Sequence, residues 1–321
     1  MNTSKKKLLS MVFSFRNEEE NFPIFLKRLE GVLNKINYEY ELIFVNDAST
    51  DKSLEILEKA RLDNQRIKII NMSRKFGISA SVIAGFKHVA GDAVIYMDSD
   101  LQDPPELIPE LVKKWEEGSD VVHTVRTKRR GENIIRMFLV KLAYKIISLV
   151  SDIEILQNSG NFKLISRRAL NGVLKLNDPD PFLRGLSIWV GFRQISILYE
   201  RDARFAGKTK FSLLRSTHIY KDFIRGITSY SAAPLYISLW AGFIVSFIAF
   251  IFVIVLVFYK ISAGVENSGW TSTMVTILFL GGAILFAIGI LGVYLGKIHE
   301  AIKQRPRYLI ESKKGFDKID N

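Results

Sequence analysis

Two aspartates set two residues apart, Asp98 and Asp100 in YMDSDLQDPPE (Tyr96–Glu106), are the residues of this chain whose types and spacing most directly suggest chemistry. Side chains at i and i+2 of extended backbone point the same way. Both carboxylates can therefore face one hard cation, magnesium or manganese, that keeps coordination positions for phosphate oxygens. Gln102 adds a third oxygen at the same interval, and Pro104–Pro105 fixes φ at two successive positions just beyond. Such a set is suited to holding a nucleoside diphosphate. A D-x-D triplet by itself is also a common solvated loop, and what separates the two cases is the element that leads into it.

That element is Ala93–Met97, short, apolar and preceded by the turn residues Gly91 and Asp92, as expected of a buried strand. Upstream, Leu8–Phe15 reads as a first strand, and a helical pattern runs through Leu33 after the turn Arg16–Asn21. Glu39–Val45 reads as a second strand with Asn46–Asp51 as its exit turn, where Ser49 or Thr50 is placed to cap a helix over Lys52–Asp63. Ile67–Met72 (strand), Ser79–Val89 (helix), Pro109–Glu117 (helix) and Asp120–Val125 (strand) continue the alternation. The expected fold class is α/β, a mostly parallel sheet with helices on both faces, which binds ligands at the carboxyl ends of its strands. Asp47 and Asp98 both fall at such ends. No G-x-G-x-x-G follows a strand and no G-x-x-x-x-G-K-[ST] occurs, which removes dinucleotide and P-loop sites.

A second stretch able to meet phosphate is Arg201–Ser212, RDARFAGKTKFS. Arg204 and Lys210 flank Gly207, whose backbone freedom permits close approach to an anion that the two cations neutralise. Read alone, the stretch is better explained as a charged solvent loop. Ile134–Val150 is apolar with Arg136, Lys141 and Lys145 on roughly one side, the profile either of a helix in a membrane interface or of a core helix with snorkelling lysines. Leu213–Tyr230 repeats that pattern and leads into an uncharged span, Gly226–Tyr259. Within it, Leu235–Tyr259 as a helix would reach about 37 Å, past a bilayer core of about 30 Å. A second uncharged span, Asn267–Gly296, follows, and both are expected to cross a membrane.

The 321 residues are 48% hydrophobic with a net charge of +12, and the positive excess gathers near the apolar spans rather than in a nucleic-acid patch. Lysines and arginines crowd the tail after Gly296, which places that tail on the cytoplasmic side. Two spans return the N-terminal domain to the same side. Zero cysteines exclude disulfides, thiolate metal sites and thiol nucleophiles. The four histidines, His88, His123, His218 and His299, lack ligand spacing and read as ordinary helix or surface residues. Gly281, Gly282, Gly289, Gly292 and Gly296 permit close helix packing within the hairpin or between protomers, so a homo-oligomer is open.

DSDLQDPPE, with FVNDASTD before it and RFAGKTKF after it, resembles the family 2 glycosyltransferases that charge a polyprenyl phosphate, among them dolichol-phosphate mannose synthases and bactoprenol glucosyltransferases. The resemblance runs from about Val12 into the C-terminal tail. It implies a GT-A nucleotide-diphospho-sugar transferase domain over 1–212 with a candidate interfacial helix at 134–150, an interfacial helix at 213–230, a transmembrane hairpin at 231–296 and a basic cytoplasmic tail at 297–321. A bacterial inner or plasma membrane is the implied location.

The implied reaction is an inverting transfer of a hexose from a nucleotide sugar, UDP-glucose first and GDP-mannose or UDP-GlcNAc as alternatives, to a polyprenyl phosphate. Asp98, Asp100 and Gln102 would hold magnesium or manganese on the leaving pyrophosphate, and Arg204 and Lys210 would offset its charge. Phe13, Glu18, Asp47, Lys75, Arg184 and Thr209 are carried over as substrate-binding, although Asp47 alone fits a turn-forming residue and Arg184 a brace of the fold. A downstream flippase and a membrane glycosyltransferase would use the product.

Two positions depart from relatives. Asn161 in NSGNF stands where the bactoprenol branch commonly has aspartate, and Lys75 in SRKFG where relatives often have asparagine. An amide is no base, but a phosphate monoester with a second pKa of about 6 is largely anionic at pH 7, so Asn161 is expected to position sugar or acceptor. A processive polysaccharide synthase is disfavoured by the lack of Q-x-x-R-W and by having only two spans. A catalytically silent membrane scaffold is the alternative from another class.

Overall fold

A computed structural model of the chain describes residues 6–127, 159–176, 178, 181–200, 231–263 and 269–316. Two compact units divide them. One takes in the residues up to 200 together with 306–316, and the other those from 231 to 305.

The first unit is built on an eight-stranded sheet whose strands are β1 (Leu8–Phe15), β2 (Glu39–Asn46), β3 (Ile67–Met72), β4 (Ala93–Tyr96), β5 (Val121–Arg126), β6 (Ser159–Ser166), β7 (Gln194–Tyr199) and β8 (Ile310–Lys314). Their spatial order is β7-β5-β6-β4-β1-β2-β3-β8. The central run β3-β2-β1-β4 is parallel throughout, β5 and β7 are parallel to each other, and β6 and β8 enter antiparallel to their neighbours.

Period-two alternation in the strands makes two cores, one on each face. Leu9, Met11, Phe13 and Phe15 of β1 join Leu42 and Phe44 of β2 on one face, under α1 (Phe22–Leu33), α2 (Ser53–Asp63) and α4 (Ile108–Glu116). Val12, Ile43, Val45, Val94 and Tyr96 face the other way, toward α3 (Ile78–Lys87) and α5 (Arg167–Lys175). A parallel strand buried on both faces needs the near-continuous apolar runs that LSMVFSF and YELIFV supply. A short helix, α6 (Leu183–Trp189), links α5 to β7.

Three sequence expectations change. Ser49 and Thr50 do not cap α2; their side chains bond Asn17 across the strand-exit loops instead, and Ser53 N–H is met by Asp51 Oδ1 at 3.1 Å. His123 is neither helical nor exposed, but lies buried at mid-strand in β5. The segment expected as a basic tail returns to the first unit, where β8 pairs with β3, Leu309 O accepts Ser73 N–H at 3.0 Å, and Tyr308, Ile310 and Phe316 pack on the α3 core. Five residues of mixed charge and low hydrophobicity give little strand signal by themselves; the edge of β3 supplies it.

The second unit is a pair of long helices, α7 (Ala233–Ala263) and α8 (Trp270–Ile302), in contact with each other, with Tyr294 Oη donating to Ser231 O at 2.8 Å. Ala233–Phe252 and Val275–Ile302 have mean hydropathies of 2.2 and 2.5 with none of their most apolar stretches buried, so both are long and apolar enough to cross a membrane.

Candidate active site

Three of the parallel strands end in loops that share one edge. Phe15 lies level with Asn46 and Asn46 with Asn71, while β3 to β4 crosses to the far side of β1. That reversal of strand order opens a crevice at the carboxyl ends, where open α/β sheets take their ligands. Each of the loops after β1, β2 and β4 holds a non-glycine residue in the left-handed region: Asn17 (φ 56°), Ala48 (φ 53°) and Leu101 (φ 61°). Such backbone persists only when its surroundings over-determine it. Here they do, because Asn17 Oδ1 accepts Thr50 N–H at 2.8 Å, Arg16 donates to the Asp47 and Ala48 carbonyls, and Glu18 N–H reaches Ser53 Oγ at 2.8 Å.

The acid pair emerges at this edge. Asp98 and Asp100 are half-buried, and Tyr96 Oη donates to Asp98 Oδ1 at 2.9 Å. Gln102 N–H donates to Asp100 Oδ1 at 3.2 Å, a tight turn that draws residues 100 and 102 together. Burial raises the Tyr96 phenol well above its usual range, with the Asp98 charge adding to it, so the hydroxyl remains a donor. The antiparallel β4–β6 register sets Tyr96 opposite Lys163, and the ladder ends there, with Asp98 two residues further along one chain and Asn161 two residues back along the other. Asn161, Tyr96 and Lys163 line one small cavity on the α3 face.

Under the acid run lies a group that sequence reasoning passed over. Asp103, fully buried, accepts from Tyr199 Oη at 2.6 Å and sits 3.6 Å from Arg126 Nη2, while Arg126 Nε donates to Tyr199 Oη at 3.1 Å. Burial alone would lower the Arg126 pKa, but Tyr199, Asp103 and Asp98 outweigh it and hold the guanidinium charged. Gly160 makes room for this arginine, since a Cβ there would lie 2.9 Å from Nη2. The signal was present in part, Asp103 belonging to the DSDLQDPPE run itself.

The remaining expected site residues fall as follows. Asp47 Oδ1 accepts Phe76 N–H at 2.6 Å and Oδ2 accepts Gly77 N–H at 3.0 Å, so its carboxylate ties the loop that opens α3. Glu18 accepts from Asn21 Nδ2 at 2.6 Å within the β1 exit loop, and Lys75 is exposed in the β3 exit loop. Arg184 sits half-buried on α6. Phe13 does not reach the site with its side chain: it is sealed in the core, stacked on Phe44 at 4.8 Å. Arg204, Thr209 and Lys210, and the helices expected at 134–150 and 213–230, lie outside the described residues.

The family model for glycosyl transferase family 2 matches residues 10–174, the interval that holds the central strands, the acid pair and Asn161. This chain belongs to glycosyl transferase family 2. An uncharacterised glycosyltransferase of Synechocystis sp. is 41% identical to it over 96% of each chain. The bactoprenol glucosyl transferase of Shigella phage SfX is 36% identical over 95% of this chain and 99% of its own. Among solved structures, mannosyl-3-phosphoglycerate synthase from Rubrobacter xylanophilus superposes with a TM-score of 0.50 at 13% identity, covering 70% of this chain and 73% of that one, a likeness of fold. The glycosyltransferase thus has the GT-A-like mixed α/β domain implied by its motifs, followed by two apolar helices.

Among its described residues, no three or more His, Cys, Asp or Glu side chains gather into a metal cluster. Asp98, Asp100 and Gln102 are a hard-oxygen set of two carboxylates and one amide, short of the six or more oxygens that magnesium or manganese takes. That donor set fits a cation whose shell is completed by ligand phosphates.

Proposed function

We propose that this glycosyltransferase moves a hexose from UDP-glucose to a membrane polyprenyl phosphate, with inversion at the anomeric carbon. The observation that carries this is the pairing, in one chain, of an acid pair at the crevice of the sheet with an apolar helix pair; the phage bactoprenol glucosyl transferase is similar in sequence to this chain along nearly its whole length. A nucleotide sugar is the donor that two carboxylates and an amide suit, because its pyrophosphate supplies the missing oxygens. Asp98, Asp100 and Gln102 would hold magnesium or manganese, which when bound supplies positive charge to the leaving pyrophosphate.

The acceptor phosphate needs no strong base, since it is already largely anionic at pH 7. Its oxygen attacks the anomeric carbon, the bond from that carbon to the diphosphate oxygen breaks, and nucleoside diphosphate leaves. Asn161, which lines a cavity with Tyr96, orients the sugar or the acceptor by hydrogen bonds; Glu18, Asp47 and Lys75 belong to the loops that frame the nucleotide. Arg184, Arg204, Thr209 and Lys210 meet phosphate. The apolar helices anchor the protein in the membrane that holds the lipid, with the catalytic unit on the cytoplasmic side.

The test uses the purified chain in detergent with undecaprenyl phosphate, magnesium or manganese, and labelled UDP- and GDP-sugars, scoring label in the lipid phase. Label from UDP-glucose, lost with chelator and reduced at least ~100-fold by Asp100→Ala, is expected. Label from another donor alone would change the sugar. No label from any donor, with nucleotide still bound by folded protein, would leave the scaffold reading standing.

A further inference from the structure

Lys163 is the buried cation of β6, 3% exposed, and its Nζ donates to Ser187 Oγ at 2.7 Å. Ser187 Oγ in turn donates to Arg184 O at 3.0 Å. Among the described residues no carboxylate lies within ion-pair distance of this ammonium, whereas Lys68, Lys114 and Lys314 each have a glutamate partner. The groups around it are Tyr96 directly across on β4, His123 directly across on β5, Arg184 and Ser187 on α6, Asn161 on its own strand, and apolar Val82, Phe86 and Val173 from α3 and α5. A buried amine with one hydrogen-bond partner and cationic neighbours is a poor way to fill a core. What it gains is a polar clamp on α6, a helix of seven residues with no side-chain cap at its start.

We propose that Lys163 is a positioning residue of the transfer site, holding the helix that carries Arg184 against the strand that carries Asn161 by way of Ser187. This rests on the transferase reading above. The clamp works best with the amine neutral, because an N–H still donates to Ser187 while no second cation stands beside Arg184. Burial first, and the Arg184 charge after it, bring the Lys163 pKa down to about 7, so this form is available at neutral pH. Protonation would set two cations against each other and loosen α6 from β6.

The experiment follows wild type, Lys163→Met, Lys163→Arg and Ser187→Ala of the full chain in detergent, by steady-state transfer from pH 5.5 to 9 and by amide hydrogen exchange of residues 183–189. Wild-type kcat/KM is expected to fall below pH about 7. Lys163→Met should unfold no earlier than wild type, lose about tenfold in kcat/KM, and show no such titration. Ser187→Ala, which keeps the lysine, should speed exchange in α6 about tenfold. Lys163→Arg is expected to be as impaired as Lys163→Met; full rescue by arginine would mean a cation acting on substrate and would overturn the proposal. Unchanged α6 exchange in Ser187→Ala would overturn it whether or not the protein transfers sugar, and absence of transfer in wild type with α6 loosened as expected would instead remove the reaction.

Discussion

The carboxylate of Asp47 at the end of β2 accepts the backbone N–H of Gly77 through both oxygens, at 3.2 and 3.0 Å, and that of Phe76 through one. Gly77 is the N-cap of α3 and holds φ at 96°, a conformation that side chains other than glycine rarely adopt. The loop from β3 to α3, which carries Lys75, is thus fastened to the end of the neighbouring strand as well as to its own helix, where Gly77 O accepts Ser81 N–H at 3.1 Å. Asp47 serves as a brace for the crevice wall whatever else it contacts.

Replacing Asp47 with alanine would strand two backbone donors beside a residue that is 5% exposed. A loss of about 2–3 kcal/mol is expected, with asparagine, which keeps one acceptor oxygen, costing roughly half as much. Denaturant unfolding of both variants checks this, and nucleotide-sugar binding should weaken in the same order. Equal stability of wild type and Asp47→Ala would show that the 76–77 turn does not depend on the carboxylate.

Gly160→Ala tests the arginine under the acid run. The new Cβ would meet Arg126 Nη2 at 2.9 Å and Cζ at 3.4 Å, forcing the guanidinium away from Asp103, whose carboxylate is fully buried. A loss of about 1–3 kcal/mol should follow, the usual cost of overpacking. Tyr199→Phe, which removes the donor to Asp103, should cost about 1–2 kcal/mol. Because both act on one network, the double variant should lose less than the sum in thermal unfolding; strict additivity would mean that Arg126 and Tyr199 do not act together.

His123 gives the first unit a pH dependence with a definite sign. Gln194 Nε2 donates to the carbonyls of Ile188 and Gly191, so its Oε1 accepts from His123 Nε2 at 2.8 Å and leaves Nδ1 as the bare nitrogen of the ring. Burial, and then the Lys163 charge, lower the His123 pKa to about 4. The unfolded chain takes up this proton near pH 6.5 and the folded chain does not. The His123 contribution to stability is therefore complete above about pH 6.5 and is lost toward about pH 4, by up to about 3 kcal/mol. His123→Gln, neutral at every pH, should flatten unfolding free energy across that window. An unchanged slope would assign the acid sensitivity to other groups.

The central half of the fold and the acid pair were legible because each rests on local pattern. The runs around Leu8–Phe15, Glu39–Asn46 and Ile67–Met72 are apolar on both faces and end in turn residues, and Asp98 and Asp100 sit where such a run stops. Strands β6, β7 and β8 were not legible in the same way. Lys163 interrupts the apolar face of β6, β7 is an edge strand with Leu198 two-thirds exposed at 67%, and the Glu311–Lys314 stretch of β8 is polar. Their pairing is decided by neighbours more than a hundred residues away for β8, as Asn71 Nδ2 bonding Ser312 Oγ at 2.8 Å illustrates. Within the site, motif matching placed Phe13 with the substrate, whereas strand alternation alone turns it to the core with Met11 and Phe15. Lys163, Ser187 and Tyr199 carry no motif, and their meaning comes only from what they touch.

Asn161 stands where an aspartate is expected from the family resemblance, and its place in the cavity it shares with Tyr96, the donor to Asp98, sharpens what substitution should do. Aspartate there would add a carboxylate to the cavity lined by Tyr96, whose hydroxyl donates to Asp98, and like charges disfavour one another unless a cation intervenes. If Asn161 works as a hydrogen-bonding guide, Asn161→Ala should lower kcat by about 10–100-fold with the donor KM little changed, since orientation is lost and binding is kept. Asn161→Asp should change kcat by less than about tenfold and raise the metal concentration dependence of the rate, because the acceptor phosphate is already ionised and gains nothing from an added base. The measurement is steady-state transfer at several magnesium concentrations. A rise in kcat of orders of magnitude for Asn161→Asp at constant KM would mean instead that the natural site lacks a base it could use.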